Sequence, residues 1–218
     1  PAAHVHLGDV IVSSGDGVVQ FDMGVRLPGE FRHRGSAPPP SATLLQAVNM
    51  VESAMIIEPD LWPTTVGSLL DQAGVVRPRR EPKRDFRHPV DRLRTTGVPR
   101  IFRGAIGASN SLMKDPADRD RIATEFGLLG YEMEGSGVAD AAWDSALQYL
   151  IVRGVCDYGD LTKDDSWQEY AAHVAAAYLQ ALLLTLPGTT AEHQNTGHSA
   201  ITTISATTEV RTTLGRLV

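Results

Sequence analysis

Three carboxylates open the chemical reading of this chain. The stretch "GYEMEGSGVADAAWDSALQYLIVRGVCDYGD" runs from Gly130 to Asp160. Glu132 and Glu134 bracket Met133, just ahead of a run of small residues that reads as a helix start. On an extended segment, side chains at i and i+2 point to the same side, so both carboxylates can face one ligand. An ionised carboxylate offers acceptor sites and no donor. A vicinal diol is a fitting partner, as on a ribose. The competing reading is a helix N-terminus that favours acidic residues for its dipole. Asp157 closes an apolar run, Tyr149 to Val152, and is followed by Tyr-Gly-Asp. Sheltered there, it can act as a proton donor to a leaving group, since burial disfavours a charged carboxylate. The alternative is an Asp that caps the turn. Arg153 stands four residues upstream, placed either to pair with Asp157 or to meet substrate.

Other chemistry is thinner. Cys156 is the only cysteine. That excludes a disulfide framework and a thiolate zinc cluster. No spacing ties it to one of the seven histidines, so it reads as a pocket-wall residue rather than a nucleophile. The histidines form no pair at metal-ligand spacing, and no metal site is expected. There is no P-loop motif.

The elements that must position these groups follow from pattern. "DVIVSS" and "GVVQFDMGV" read as two strands joined by Gly-Asp-Gly, an antiparallel hairpin. The stretch 27–41 reads as a Pro-broken loop. Ser41 caps a helix with apolar Leu44, Leu45, Val48, Val51 and Met55. A second short helix follows, with Thr64 or Thr65 near its start. Residues 77–100 are rich in Pro and Arg; they read as a solvated loop or, more sharply, as a loop touching phosphates. "RIFRGAIGAS" is a strand, and Asp115 and Gly127 cap the helix between it and the short strand "LLGYEME". "GSGVADAAWDSALQ" is a helix, "YLIVRGVC" a buried strand, and Ser166 caps the long final helix. Strand–helix alternation predicts an α/β fold, a central sheet covered by helices. Ligands bind such sheets beyond the strands' carboxyl ends. The polar tips at Ala108-Ser109-Asn110, Glu132-Met133-Glu134 and Cys156-Asp157 are therefore expected to converge on one pocket.

Composition sets the bounds. The 218 residues suit one domain over 1–187, with a Thr-rich linker or tail over 188–218. A net charge of −6 argues against a nucleic-acid partner. No apolar run approaches the roughly 18 residues that span a bilayer, so no membrane association is expected. The single Cys and the lack of a secretory pattern at the N-terminus predict a cytoplasmic location.

Taken in order, these segments resemble the nucleoside phosphorylase/nucleosidase superfamily. "GYEMEGSGVADAA" is similar to its ribose-binding segment, "IVRGVCDYGD" to its base-binding strand, and "LGDVIVS...GVVQFDMG" to its central strand pair. "IGASNSLMKDPADRDRIATEFG" and "SWQEYAAHVAAAYLQALL" most resemble the phosphorylase-like modules of multidomain, immune-receptor-like proteins. The resemblance covers Leu7 to Leu186. It implies a three-layer phosphorylase-like fold with a central mixed sheet flanked by helices. It implies cleavage of the N-glycosidic bond of a purine nucleoside or nucleotide. Glu134, with Met133 beside it, would hold the ribose hydroxyls, and Glu132 would support the same wall. Asp157 would protonate or hydrogen-bond the purine N7. Ser109, Asn110 and Leu112 would line the base pocket, with Cys156 where many members carry Ser and Arg153 orienting the strand end. No cofactor is implied; inorganic phosphate would be the co-substrate of a phosphorylase. Members carry a further N-terminal stretch with glycine-rich phosphate turns and, in nucleosidases, a water-activating carboxylate. This sequence opens at "LGDVIVS", so the choice of water or phosphate stays open. A sheet without those strands has open edges that call for a partner. A homo-oligomer is expected, as is fusion or pairing with further domains. The alternative is a module that senses a nucleoside or nucleotide, or only assembles, without catalysis.

Overall fold

The computed structural model describes residues 4–34, 37–81, 87–161, 163 and 165–186. The expected tail over 188–218 lies outside the described residues. Eleven elements follow in the order β1 (Val10–Gln20), β2 (Gly24–Leu27), β3 (Glu30–His33), α1 (Ala42–Ile57), α2 (Leu61–Ala73), β4 (Ile101–Ala108), α3 (Pro116–Phe126), β5 (Leu128–Glu132), α4 (Gly135–Asp144), β6 (Val152–Gly154) and α5 (Gln168–Thr185). A four-stranded mixed sheet has the order β5-β4-β1-β6, and β2 and β3 pair separately. Strands β5, β4 and β1 are parallel neighbours, whereas β6 runs antiparallel to β1.

Alternation along β1 decides the layering. Val10 and Val12 join one apolar cluster with Val48, Val51, Trp62, Trp167, Val174 and Tyr178, from α1, α2 and the α5 segment. Ile11 and Val18 join another with Ile106, Ala139 and Ala142, under α4. A third small cluster seats Ile122 and Ala123 of α3 against Leu128 and Phe21. Successive strand side chains point to opposite faces, so a strand apolar on both faces takes helices on both. Each fully buried Val or Leu side chain contributes about 1.5–3 kcal/mol. The helix stops act as their residue types dictate. Ser41 Oγ accepts from Leu44 N–H, Asp115 accepts from Ala117 and Asp118, and Gly74 and Gly127 end α2 and α3 in the left-handed region. No helix among the described residues is long and apolar enough to cross a membrane.

The local expectations needed correction in four places. Residues 10–20 do not fold back as a hairpin; they form one strand beside β4, with a register break between Ser13 and Val18. The Gly-Asp-Gly insert bulges while Val18, fully buried, rejoins the ladder opposite Ile106. The stretch expected to be a loop contains β3, since Pro28 and Gly29 occupy the turn and leave Glu30–His33 free to pair with β2. The expected buried strand at 149–156 shrinks to Val152–Gly154. Upstream, Ile151 N–H donates to Ser13 Oγ and Ile151 C=O accepts from Ser13 N–H, both at 2.9 Å, so a side chain replaces a ladder partner. Finally, α5 is capped at Trp167 rather than Ser166, with no side-chain cap bond.

Two contacts fix the cavity-side segments. Gly154 lies against α5 so closely that a Cβ there would stand 2.0 Å from the Ala171 carbonyl oxygen. Asp9, 1% exposed, accepts from the N–H of His6 and of Arg100 and from both Nη atoms of Arg94 at 2.7–3.0 Å. That carboxylate ties the Arg-rich segment to the start of β1. Arg94 is thus spent inside the fold, as are Arg100 on Asp91 and Arg77 over the Trp167 ring.

Candidate functional site

A cavity of about 530 Å³ opens over the sheet. Its size suits a drug-sized or nucleoside-sized ligand. Its apolar lining includes Ile11, Ile106 and Leu128; its polar lining carries Glu132, Glu134, Arg153, Cys156, Asp157 and Lys163. The expected convergence of three carboxyl ends takes a different form. Because β6 is antiparallel, Gly154 pairs with Val10 at the amino end of β1, while Ala108 pairs with Glu132 at the far end of β4 and β5. The cavity joins the two regions across the sheet.

The two glutamates do different things. Glu134 has helical dihedrals, φ −116° and ψ −24°, so the extended segment ends before it and the i, i+2 alternation fails. Glu132 is buried, and its Oε2 accepts from Glu134 N–H at 3.0 Å and Gly135 N–H at 2.6 Å. It therefore caps the start of α4. Its Oε1 is sealed from solvent without a partner among the described residues. Burial is the main cause that raises the Glu132 pKa above the ordinary carboxylate value; the Glu134 charge adds to it, and the two N–H bonds and Arg153 oppose it. The Glu134 side chain stays exposed and pairs with Arg153 Nη1 at 3.2 Å. Arg153 thus partners Glu134 and not Asp157.

Asp157 is held on three sides. Its Oδ1 accepts from Gly159 N–H at 2.8 Å, a tight turn that the left-handed Gly159 permits. Its Oδ2 lies 3.2 Å from Lys163 Nζ and 3.6 Å from Cys156 Sγ. Burial works against the Lys163 ammonium, but the hydrogen bond and charge of Asp157 prevail, and the lysine pKa ends raised. Burial first, and then the Asp157 charge, push the Cys156 thiol up, which disfavours the nucleophilic thiolate.

The remaining expected residues divide. Leu112 and Met133 line the cavity, half open to solvent. Ser109 lines it too, but its hydroxyl accepts from Ser111 N–H and donates to Ser111 C=O. Asn110 is not brought to the cavity; its N–H donates to Asp22. Three lining residues escaped the sequence. Lys163 follows Asp157 by six positions, a spacing with no periodic signature. Arg119 reaches from α3 to the Tyr158 carbonyl at 2.7 Å, a tertiary contact. Arg87 is exposed on the cavity rim without a partner among the described residues, and its place in the Arg-rich run was its available signal. Among the described residues, no three His, Cys, Asp or Glu side chains gather as metal ligands do.

Comparison with known proteins adds lineage to this geometry. A family model described as "Phosphorylase superfamily" matches residues 1–186. A nucleotide-binding leucine-rich repeat (NLR)-like protein from Hyaloscypha variabilis is 32% identical over 201 residues, which is 82% of this chain and 20% of that protein. The ATP nucleosidase Cap17 of Escherichia coli is 41% identical over 83 residues, covering 37% of this chain and 16% of that one. A 5'-methylthioadenosine/S-adenosylhomocysteine nucleosidase from Mycobacterium bovis is 29% identical over 93 residues, 43% of this chain and 36% of its own. The chain spans about a fifth of the length of the NLR-like relative.

Proposed function

The chain belongs to the phosphorylase superfamily, and on that premise we propose that it cleaves the N-glycosidic bond of a purine nucleoside or nucleotide. One observation carries this reading: the Glu134–Arg153 pair and the Asp157–Lys163 pair stand on the wall of a single nucleoside-sized cavity. Glu134 accepts from the ribose 2'- and 3'-hydroxyls, with Met133 against the sugar. A proton passes to N7 through Asp157, with the Lys163 ammonium 3.2 Å away as its source, so the base leaves as a neutral purine. The C1'–N9 bonding pair goes to the base, and the sugar becomes oxocarbenium-like. Water or inorganic phosphate then adds to C1'. The carboxylates of the wall stabilise the developing positive charge, which counts for more in a partly water-excluded site. A positioned general acid contributes about 10²–10⁴-fold.

A nucleotide substrate is supported by a specific observation. Arg87 sets a guanidinium at the rim that has no partner among the described residues, and a guanidinium suits a phosphate. The relative named as an ATP nucleosidase is in accord with it. The partial coverage of the NLR-like relative supports a place for this fold inside a longer, multidomain protein. Apolar side chains left exposed on the described surface, among them Trp143 and Leu147, support a homo-oligomer.

The test is direct. The purified chain is incubated with adenosine, inosine, guanosine and ATP, with and without phosphate, and free base is read by chromatography. Base release with phosphate alone identifies phosphorolysis; release without it identifies hydrolysis. Ligand-induced thermal stabilisation without base would replace catalysis by sensing, and neither effect in a folded sample would remove the proposal.

A further inference from the structure

Glu132 sits where a backbone turns into the site. Its main-chain carbonyl accepts from Ser109 N–H at 3.2 Å, which holds the end of β5 to the segment after β4. One carboxylate oxygen then takes two consecutive N–H groups, of Glu134 and Gly135. Room for this arrangement depends on Gly135. A Cβ there would stand 2.7 Å from Glu132 Oε1 and 2.9 Å from its Cδ, closer than side chains tolerate. The residue after next, Glu134, carries the carboxylate that reaches the cavity. Oε1 is buried without a partner among the described residues, so the carboxylate's hydrogen bonds there all fall on the other oxygen.

We propose that Glu132 is a positioning residue: by accepting both N–H groups on one oxygen it fixes the backbone from which Glu134 meets the sugar diol, so its loss weakens recognition of the 2'-hydroxyl and leaves the base contacts intact. This rests on the reading that Glu134 binds the ribose. A merely structural role predicts equal losses for every ligand, because a loosened fold has no preference between sugar and base.

The measurement is calorimetric binding of adenosine, 2'-deoxyadenosine and adenine to the whole chain and to four variants, with inosine, 2'-deoxyinosine and hypoxanthine replacing them if the base-release assay selects that purine. Glu132→Ala should weaken the nucleoside at least tenfold, bring the ribo-to-deoxy ratio near one, and leave the free base within twofold. Glu132→Gln keeps an acceptor oxygen and should retain the ratio within threefold. Gly135→Ala displaces the carboxyl and should reproduce Glu132→Ala, which keeps the inference testable if the latter folds poorly. An unchanged ratio in Glu132→Ala and Gly135→Ala, equal losses for nucleoside and free base, or a Glu132→Gln variant as impaired as Glu132→Ala would each overturn it. Glu134→Gln is the separate control. If it leaves the ratio intact, or if the native chain binds neither purine series, the ribose assignment itself fails and the inference falls with it.

Discussion

Arg153 and Glu134 are joined across the breadth of the sheet. Arg153 lies in β6 and Glu134 stands two residues past the end of β5, the two outermost strands, yet Nη1 and Oε2 stand 3.2 Å apart. Three strand spacings separate those edges, about 14 Å on a flat sheet. Both side chains are substantially exposed, so the pair contributes at most about 1 kcal/mol to stability. Its effect is geometric: it aims the Glu134 carboxylate while the Asp157 segment, continuous with β6, is aimed by Lys163.

Asp157→Asn should keep ligand binding and lose turnover. The amide cannot release a proton to N7, and removal of a general acid costs about 10²–10⁴-fold. Single-turnover base release measured beside calorimetric affinity separates the two. Near-native release from the variant would show that the acid is elsewhere.

Arg87→Ala should raise KM for ATP about tenfold, in line with a lost charge-assisted bond, and leave adenosine within twofold. Steady-state kinetics on both substrates decide it. Equal changes on the two would mean that the rim guanidinium does not read phosphate.

Stability should fall between about pH 6.5 and pH 4 through His6. Burial, with the positive charge of His88 and Arg94 next, lowers its pKa from 6.5 to about 4. In that window the unfolded chain binds the proton that the folded chain refuses, so stability present above pH 6.5 is lost as pH falls and this loss levels off below about 4. Urea unfolding across the window, with His6→Gln beside the native chain, tests the assignment. The variant should show a shallower slope; an identical slope would place the effect in other groups.

Gly154→Ala should destabilise the fold severely. The new Cβ meets the Ala171 carbonyl oxygen of α5 at 2.0 Å, a contact with backbone that one of the two segments must shift to relieve. Overpacking in a filled core typically costs about 1–3 kcal/mol, and backbone against backbone belongs at the upper end or beyond. Thermal melting should show a fall of several degrees; an unchanged midpoint would mean that β6 and α5 separate easily.

What the sequence showed, and what it withheld, follows from the range of each interaction. Local rules placed Ser41, Asp115 and Gly127 at helix ends, where side chain or dihedral alone decides. Apolar periodicity found α1. The hairpin expected across Gly15-Asp16-Gly17 failed because its evidence was a turn signal, whereas the partner that claimed Val18 is Ile106, far along the chain. Residues named for the site by resemblance gather on one cavity, apart from Asn110. Lys163 was invisible because no period links it to Asp157. The orientation of β6 was equally hidden, since the apolar run 149–152 is compatible with either direction.

The burial of the indoles also decides what light can report. The chain has three tryptophans. Trp62 and Trp167 are sealed in the layer formed with α1, α2 and α5, their Nε1 atoms donating to Pro99 and Arg80 carbonyls, while Trp143 faces solvent at 72% exposure. A red shift of intrinsic emission on unfolding will therefore follow the dismantling of that one layer. The cluster under α4, which holds Ile11, Val18 and Ile106, contains no tryptophan, and events there need one introduced by design.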